Sequence, residues 1–163
     1  MINLRELSIS DVRESFWWKG PILAVIYFVV AKLGLTFTVV TNNITLIWPP
    51  SGLALFALLV LGPRFWPWVF FAALAVNAST DIPMLAALTI AIGNALEAIV
   101  GVCLLRMVGF QRELHTVQDV MFLVLLAAGL STMLSATVGA YSLAYFEVIS
   151  WDHFAYAWLS WWM

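Results

Sequence analysis

Between Asp81 and Arg106 the chain carries a single charged residue, Glu97, and comparably apolar runs of about 20 residues recur along its length. At 1.5 Å of rise per residue, a helix of that length crosses a hydrocarbon core of roughly 30 Å. A soluble helix is apolar on one stripe, whereas these runs are apolar all round. Of the 163 residues, 64% are hydrophobic and 10% charged, and the mean hydropathy is +1.00. Those proportions lie well outside soluble domains, so the sequence reads as an all-α integral membrane protein. The net charge of -2 is small and its acids and bases are scattered, so no nucleic-acid partner is expected. Cys103 is the only cysteine, which excludes an intrachain disulfide and a cysteine-rich metal site. The first apolar segment is too long for a signal-peptide core and no small-residue cleavage site follows it, so it is read as a retained span.

Five complete spans are expected, at residues 18–40, 44–61, 65–78, 83–106 and 119–146, with the start of a sixth at Phe154. Lys and Arg accumulate in cytoplasmic loops. Arg5, Arg13, Lys19, Arg64, Arg106 and Arg112 fall on one side of this arrangement, and the opposite loops, "TNN", "STD" and "EVISWDH", hold no Lys or Arg. The amino terminus is therefore expected in the cytoplasm, with Lys32 as the one base inside a span. Residues 1–16 read as a cytoplasmic leader, either frayed or forming an interfacial helix, and 17–163 as the membrane domain. From Phe154 to the end of the sequence a helix reaches only about 15 Å, and stopping there would leave carbonyls unpaired in lipid. That predicts a domain truncated at its carboxyl end, or a subunit whose last helix is completed by a partner.

Glu97 is the most informative residue. A charge at the bilayer centre costs at least about 2.5–3.5 kcal/mol, so such a residue faces protein or water and is functional by default. Gly93, Glu97 and Gly101 recur at every fourth position with Asn94 on the same stripe, which predicts a helix–helix contact there. Asn94 is expected to hydrogen-bond the carboxyl, and Lys32, offset by roughly 8 Å along the helix axis, is a candidate ion-pair partner. A structural interhelical hydrogen bond and a ligand- or proton-sensing role both fit this residue. Asn77, Ser79 and Asp81 approach the outer surface, where Asp81 reads as a cap of the next helix. Phe154, Trp158, Trp161 and Trp162 share one helix face, an aromatic wall able to shape a pocket for an apolar or cationic ligand. Trp48, Pro49, Pro50 and Gly52 are expected to form a shaped re-entry into the membrane beside that wall. Ser131, Ser135 and Gly139 form a small-residue ridge read as packing.

Five stretches in order carry a resemblance: "WPPSGLA" (Trp48 to Ala54), Gly62-Arg64-Trp66-Pro67, Asn77, Asn94-Glu97-Ala98-Gly101, and Trp158-Trp161-Trp162. Together they resemble the membrane-associated sensor domain of the first MASE class, over most of residues 20–163. Those domains are bacterial multi-helix input modules found ahead of histidine kinases, diguanylate cyclases and related outputs. The family domain is longer, and the chain stops where a Gly-Asp pair would follow. The resemblance implies a multi-pass protein of the bacterial inner membrane and a role in sensing.

No metalloenzyme is expected, since His115 and His153 fall on opposite sides of the membrane in this topology. There is no phosphate loop, no nucleophile elbow and no second carboxylate at the depth of Glu97. The function expected is a non-catalytic sensory input module without a cofactor. It would bind a small or lipid-like ligand among its helices, at Trp48, Pro49, Pro50, Asn77, Asn94, Glu97, Trp158, Trp161 and Trp162, and pass a packing change to a cytoplasmic output. The alternative is an accessory structural subunit of a larger membrane complex with lipid, quinone or pigment contacts. Expected partners are membrane lipids and other membrane helices, including a second copy in a homodimer.

Overall fold

The computed structural model describes residues 9–36, 38–41, 44–45 and 48–162. The first helix, α1, spans Ile9–Leu35 without a break, so residues 9–16 form the opening turns of the same helix that carries the first apolar run. It ends earlier than the sequence suggests. Thr38–Thr41 (β1) and Ile44–Thr45 (β2) pair antiparallel, with Thr38 opposite Thr45 and Thr41 opposite Ile44. Hydropathy assigned this segment to the two flanking spans, and the correction has a local cause. Its residues are rich in β-branched side chains, which favour extended backbone. The described residues are thus helical apart from this pair of short strands.

Helix α2, Pro49–Leu61, opens on two prolines that need no amide partner in a first turn. It stops at Gly62, whose φ of 104° suits glycine. One 3-10 turn, Pro63–Phe65, leads into α3, Trp66–Ala78. Helix α4, Met84–Met107, follows a short loop in which Pro83 occupies the cap position with no side-chain cap bond. Asp81 is exposed and does not cap it, contrary to the expectation. The long helix Val117–Tyr145 is composite. It consists of α5 (Val117–Phe122), a π-helical segment (Leu123–Ser131) and α6 (Thr132–Tyr145). A 3-10 turn, Trp151–His153, then introduces α7, Phe154–Trp162.

Among the described residues, three helical stretches are long and apolar enough to cross a membrane: Ser15–Leu35, Met84–Met107 and Val117–Tyr145. Helices α2 and α3, at 13 residues each, reach only about 20 Å. Helix α4 is the centre of the bundle, packing on α2, α3, α6 and the π segment. More than half of its most apolar stretch, 56%, is buried, against 28% in α1 and 22% in the long helix. Outward-facing Val25, Phe71, Leu85 and Val124 are exposed. A soluble protein avoids such a surface, and a lipid-facing one requires it.

Glycine sets the closest approaches. A side chain at Gly93 would meet Val138 at 3.0 Å, and one at Gly101 would meet Leu55 at 2.9 Å and Ser131 at 3.0 Å. The predicted glycine stripe on α4 is therefore a packing seam against both α2 and the long helix.

A buried carboxylate cluster and an adjoining cavity

The α4 seam buries two polar side chains, Asn94 at 4% and Glu97 at 5% exposure. A buried polar group is costly unless paired, so their neighbours decide what the cluster can do. Ser135 of α6 donates its hydroxyl to Asn94 Oδ1 at 2.9 Å. The hydroxyls of Ser135 and Ser51 stand beside the Glu97 carboxyl. Tyr27 of α1, 1% exposed, brings its phenol close to Glu97, Asn94 and Trp48. Four helices thus converge polar groups on one point of an otherwise apolar bundle. Among the described residues, Asn94 Nδ2 and Trp48 Nε1 find no hydrogen-bond partner.

The expected direct pairing of Asn94 with Glu97 is thereby replaced by an indirect one through Ser135. Lys32 takes no part. Its ammonium donates to the Ser79 carbonyl at 3.5 Å and lies 5.9 Å from the Phe28 ring centre, and among the described residues no ion pair joins it to Glu97. The reason is rotational. The buried stripe of α1 runs through Gly20, Leu23, Tyr27, Ala31 and Gly34, and Lys32 sits about 100° around the helix from Ala31.

Beside the carboxyl lies a cavity of about 410 Å³, between α2, α4 and the π segment. Small-molecule sites run from roughly 300 to 1,000 Å³. Ser51, Gly52 and Glu97 line one part of it, Leu55, Phe56 and Leu59 continue along α2, and Ala127, Ala128, Ser131 and Thr132 form the opposing wall. Phe110, Arg112 and Leu114 contribute from the loop between α4 and α5.

That loop is held in shape by Asp119. Its Oδ1 accepts from the Gln111 amide at 3.0 Å, and its Oδ2 accepts from the Thr116 amide at 3.1 Å and hydroxyl at 2.6 Å. The Asp119 amide donates back to the Thr116 hydroxyl, completing a capping box at the start of α5. Leu114 adopts a φ of 52°, which a non-glycine residue adopts only under such constraint.

The tryptophan wall packs elsewhere. Trp158 donates to Thr137 Oγ1 and Trp162 to the Gly129 carbonyl, both at 2.9 Å, and the Trp161 ring fills the space over Gly139. None of the three lines this cavity. Trp48 packs instead on the core cluster beside Tyr27 and Gly34 of α1, Pro49 is exposed and Pro50 buried in the first turn of α2. Asn77 bonds back to the Ala73 carbonyl of its own helix at 2.8 Å. Of the candidate site residues, the bundle gathers Glu97, Asn94 and Trp48 around Tyr27 and leaves the others apart. Tyr27, Ser51, Ser135 and Arg112 were missed because a lone hydroxyl or loop arginine carries no pattern. Ser135 had a visible signal in its place on the small-residue ridge, and Ser51 in the "WPPSGLA" stretch.

Among the described residues, a bundle with three membrane-length apolar helices, a buried carboxylate and a half-open cavity beside it defines a membrane-embedded helical domain with a candidate ligand site. The chain belongs to the MASE1 family of membrane-associated sensory domains, whose match covers residues 21–163. No curated protein and no solved structure matches the chain.

Proposed function

We propose that this domain is a non-catalytic sensory input module of the bacterial inner membrane, in which a ligand in the Glu97 cavity alters helix packing and a cytoplasmic output reads the change. The observation that carries this reading is the cavity itself: an apolar space whose only buried ionisable group is a carboxylate that four helices converge upon. The π segment forms one wall, and π-helical stretches cluster at functional sites. Trp162 holds the Gly129 carbonyl of that segment, so a shift of the wall would carry α7 with it. A ligand moves such an equilibrium only by binding one arrangement better than the other.

The test is hydrogen exchange on the full chain in lipid nanodiscs, with and without a bacterial lipid and metabolite extract. Slowed exchange is expected across Leu123–Ser131 and α7 in the wild type, and not in Leu55→Trp, whose indole fills the cavity. Identical exchange in the wild type with and without extract would rule the reading out.

Five crossings with the amino terminus in the cytoplasm follow from the same reading. Contacts at both ends support the reversal between the first two helices: Pro49 meets Gly34 at one end of the α1–α2 pair, while Phe16 meets Phe65 at the other. In a Cys103→Ala background, Arg64→Cys should react with impermeant thiol reagent from the cytoplasmic side only and Asp81→Cys from the outer side only. Labelling of both from one side sinks the topology.

A further inference from the structure

Resting on the reading of this cavity as the sensory site, we infer its ligand class: a single-chain hydroxy fatty acid of medium length, with its carboxylate on Arg112 and its far hydroxyl between Ser51 and Glu97. Three features of the cavity lead there. Ser131 and Thr132 on the long wall donate their hydroxyls to carbonyls of their own helix, and the other polar groups of the lining lie toward the ends. Ser51 and Glu97 line one end and Arg112 the other, with Leu55, Phe56, Leu59 and Phe110 between them. A ligand complementary to that order is polar, then apolar, then polar.

The signs of the two ends are opposite. Arg112 is exposed, and its guanidinium offers a planar fork of donors that matches a carboxylate. Glu113 beside it is exposed and does not line the cavity, so no acid at that end competes for the ligand's place. The Asp119 hydrogen bonds to Gln111 and Thr116 flank Arg112 on both sides, so the loop presents it in a set position. At the inner end a hydroxyl can donate to the Glu97 carboxyl and accept from Ser51, satisfying groups that a bare methyl terminus would leave against hydrocarbon. A cationic ligand would meet Arg112 on its way in, and like charge disfavours that entry.

Size sets the length and the chain number. Ser51 and Val60, both lining the cavity, lie about 13 Å apart along α2, a span that a ten-carbon chain with an oxygen at each end covers at ~1.25 Å of advance per bond. A volume of about 410 Å³ accommodates one such chain and not a two-chained phospholipid.

The experiment is equilibrium dialysis of tritiated ω-hydroxydecanoate against the full chain in nanodiscs of neutral lipid, beside decanoate and decanediol of the same length. The hydroxy acid is expected to bind at least about tenfold more tightly than either comparison compound, each of which leaves one polar end unpaired. Arg112→Gln, at an exposed loop position that leaves the bundle intact, should abolish the preference for the hydroxy acid over the diol. Ser51→Ala should weaken its preference over decanoate, with melting temperature measured as the folding control. Leu55→Trp should block all three. Equal binding of hydroxy acid and diol, unchanged in Arg112→Gln, would overturn the anionic ligand class while leaving the cavity a binding site. Binding of none of the three would overturn the class as well, and the exchange experiment with whole extract then decides the sensory reading separately.

Discussion

Glu97→Leu is expected to lower the melting temperature of the nanodisc-embedded protein by roughly 2–10 °C, while Glu97→Gln stays within a few degrees of wild type. The leucine removes the acceptor beside Ser51 and Ser135 and leaves buried hydroxyls facing an apolar side chain, at a cost of about 1–3 kcal/mol. Glutamine keeps the shape and a carbonyl acceptor in the same place. Its amide also adds donors beside Asn94, whose Nδ2 is already unpartnered, so a small loss is expected. Thermal unfolding followed by far-ultraviolet circular dichroism reads both variants. A leucine variant as stable as wild type would mean that the carboxylate contributes nothing to holding the four helices together.

The second large effect concerns the other end of the bundle. Gly20→Leu should lower the yield of folded protein severely, because even the first carbon of a side chain there overlaps three atoms of the Trp68 indole ring. The ring cannot swing aside without vacating the α1–α3 interface, where it also packs against Phe16 and Trp17. Overpacking a filled site costs typically about 1–3 kcal/mol, and an indole against backbone lies at the upper end. Gly20→Leu combined with Trp68→Ala should recover much of the lost yield, since the leucine then occupies the vacated space. Size-exclusion chromatography of detergent-extracted protein measures it. A single variant that elutes as wild type does would mean that α1 and α3 are not held by this contact.

The three membrane-length helices were legible because lipid removes choice: an apolar run of sufficient length has to be a helix there. Glu97 was legible for the same reason, as a charge that hydrocarbon does not tolerate. Its surroundings were not. Ser135 reaches Asn94 across 41 residues of sequence, and no local periodicity reports which helix packs on which. Lys32 misled because axial depth is readable from helix rise, while facing direction depends on where the buried stripe runs. The strand pair Thr38–Thr41 and Ile44–Thr45 was hidden because hydropathy scores Val and Ile alike whether they lie in helix or strand. The cavity's lip was the least visible part, since it depends on one aspartate folding a loop back over the bundle.

The π segment makes the long helix tolerant of an unusual kind of change. Winding with one extra residue per turn means that Leu123–Ser131 holds a residue that an α-helix of the same height does not need. A single-residue deletion between 123 and 131 can therefore be absorbed by rewinding to ordinary α geometry, without shortening the helix by a register step on α4. The same deletion in α4 would turn everything beyond it by about 100° and break the glycine seam. Sequence drift in this domain should thus concentrate its length changes at the wall of the cavity, and lineages that lost the extra residue would carry a differently shaped site on an otherwise unchanged scaffold.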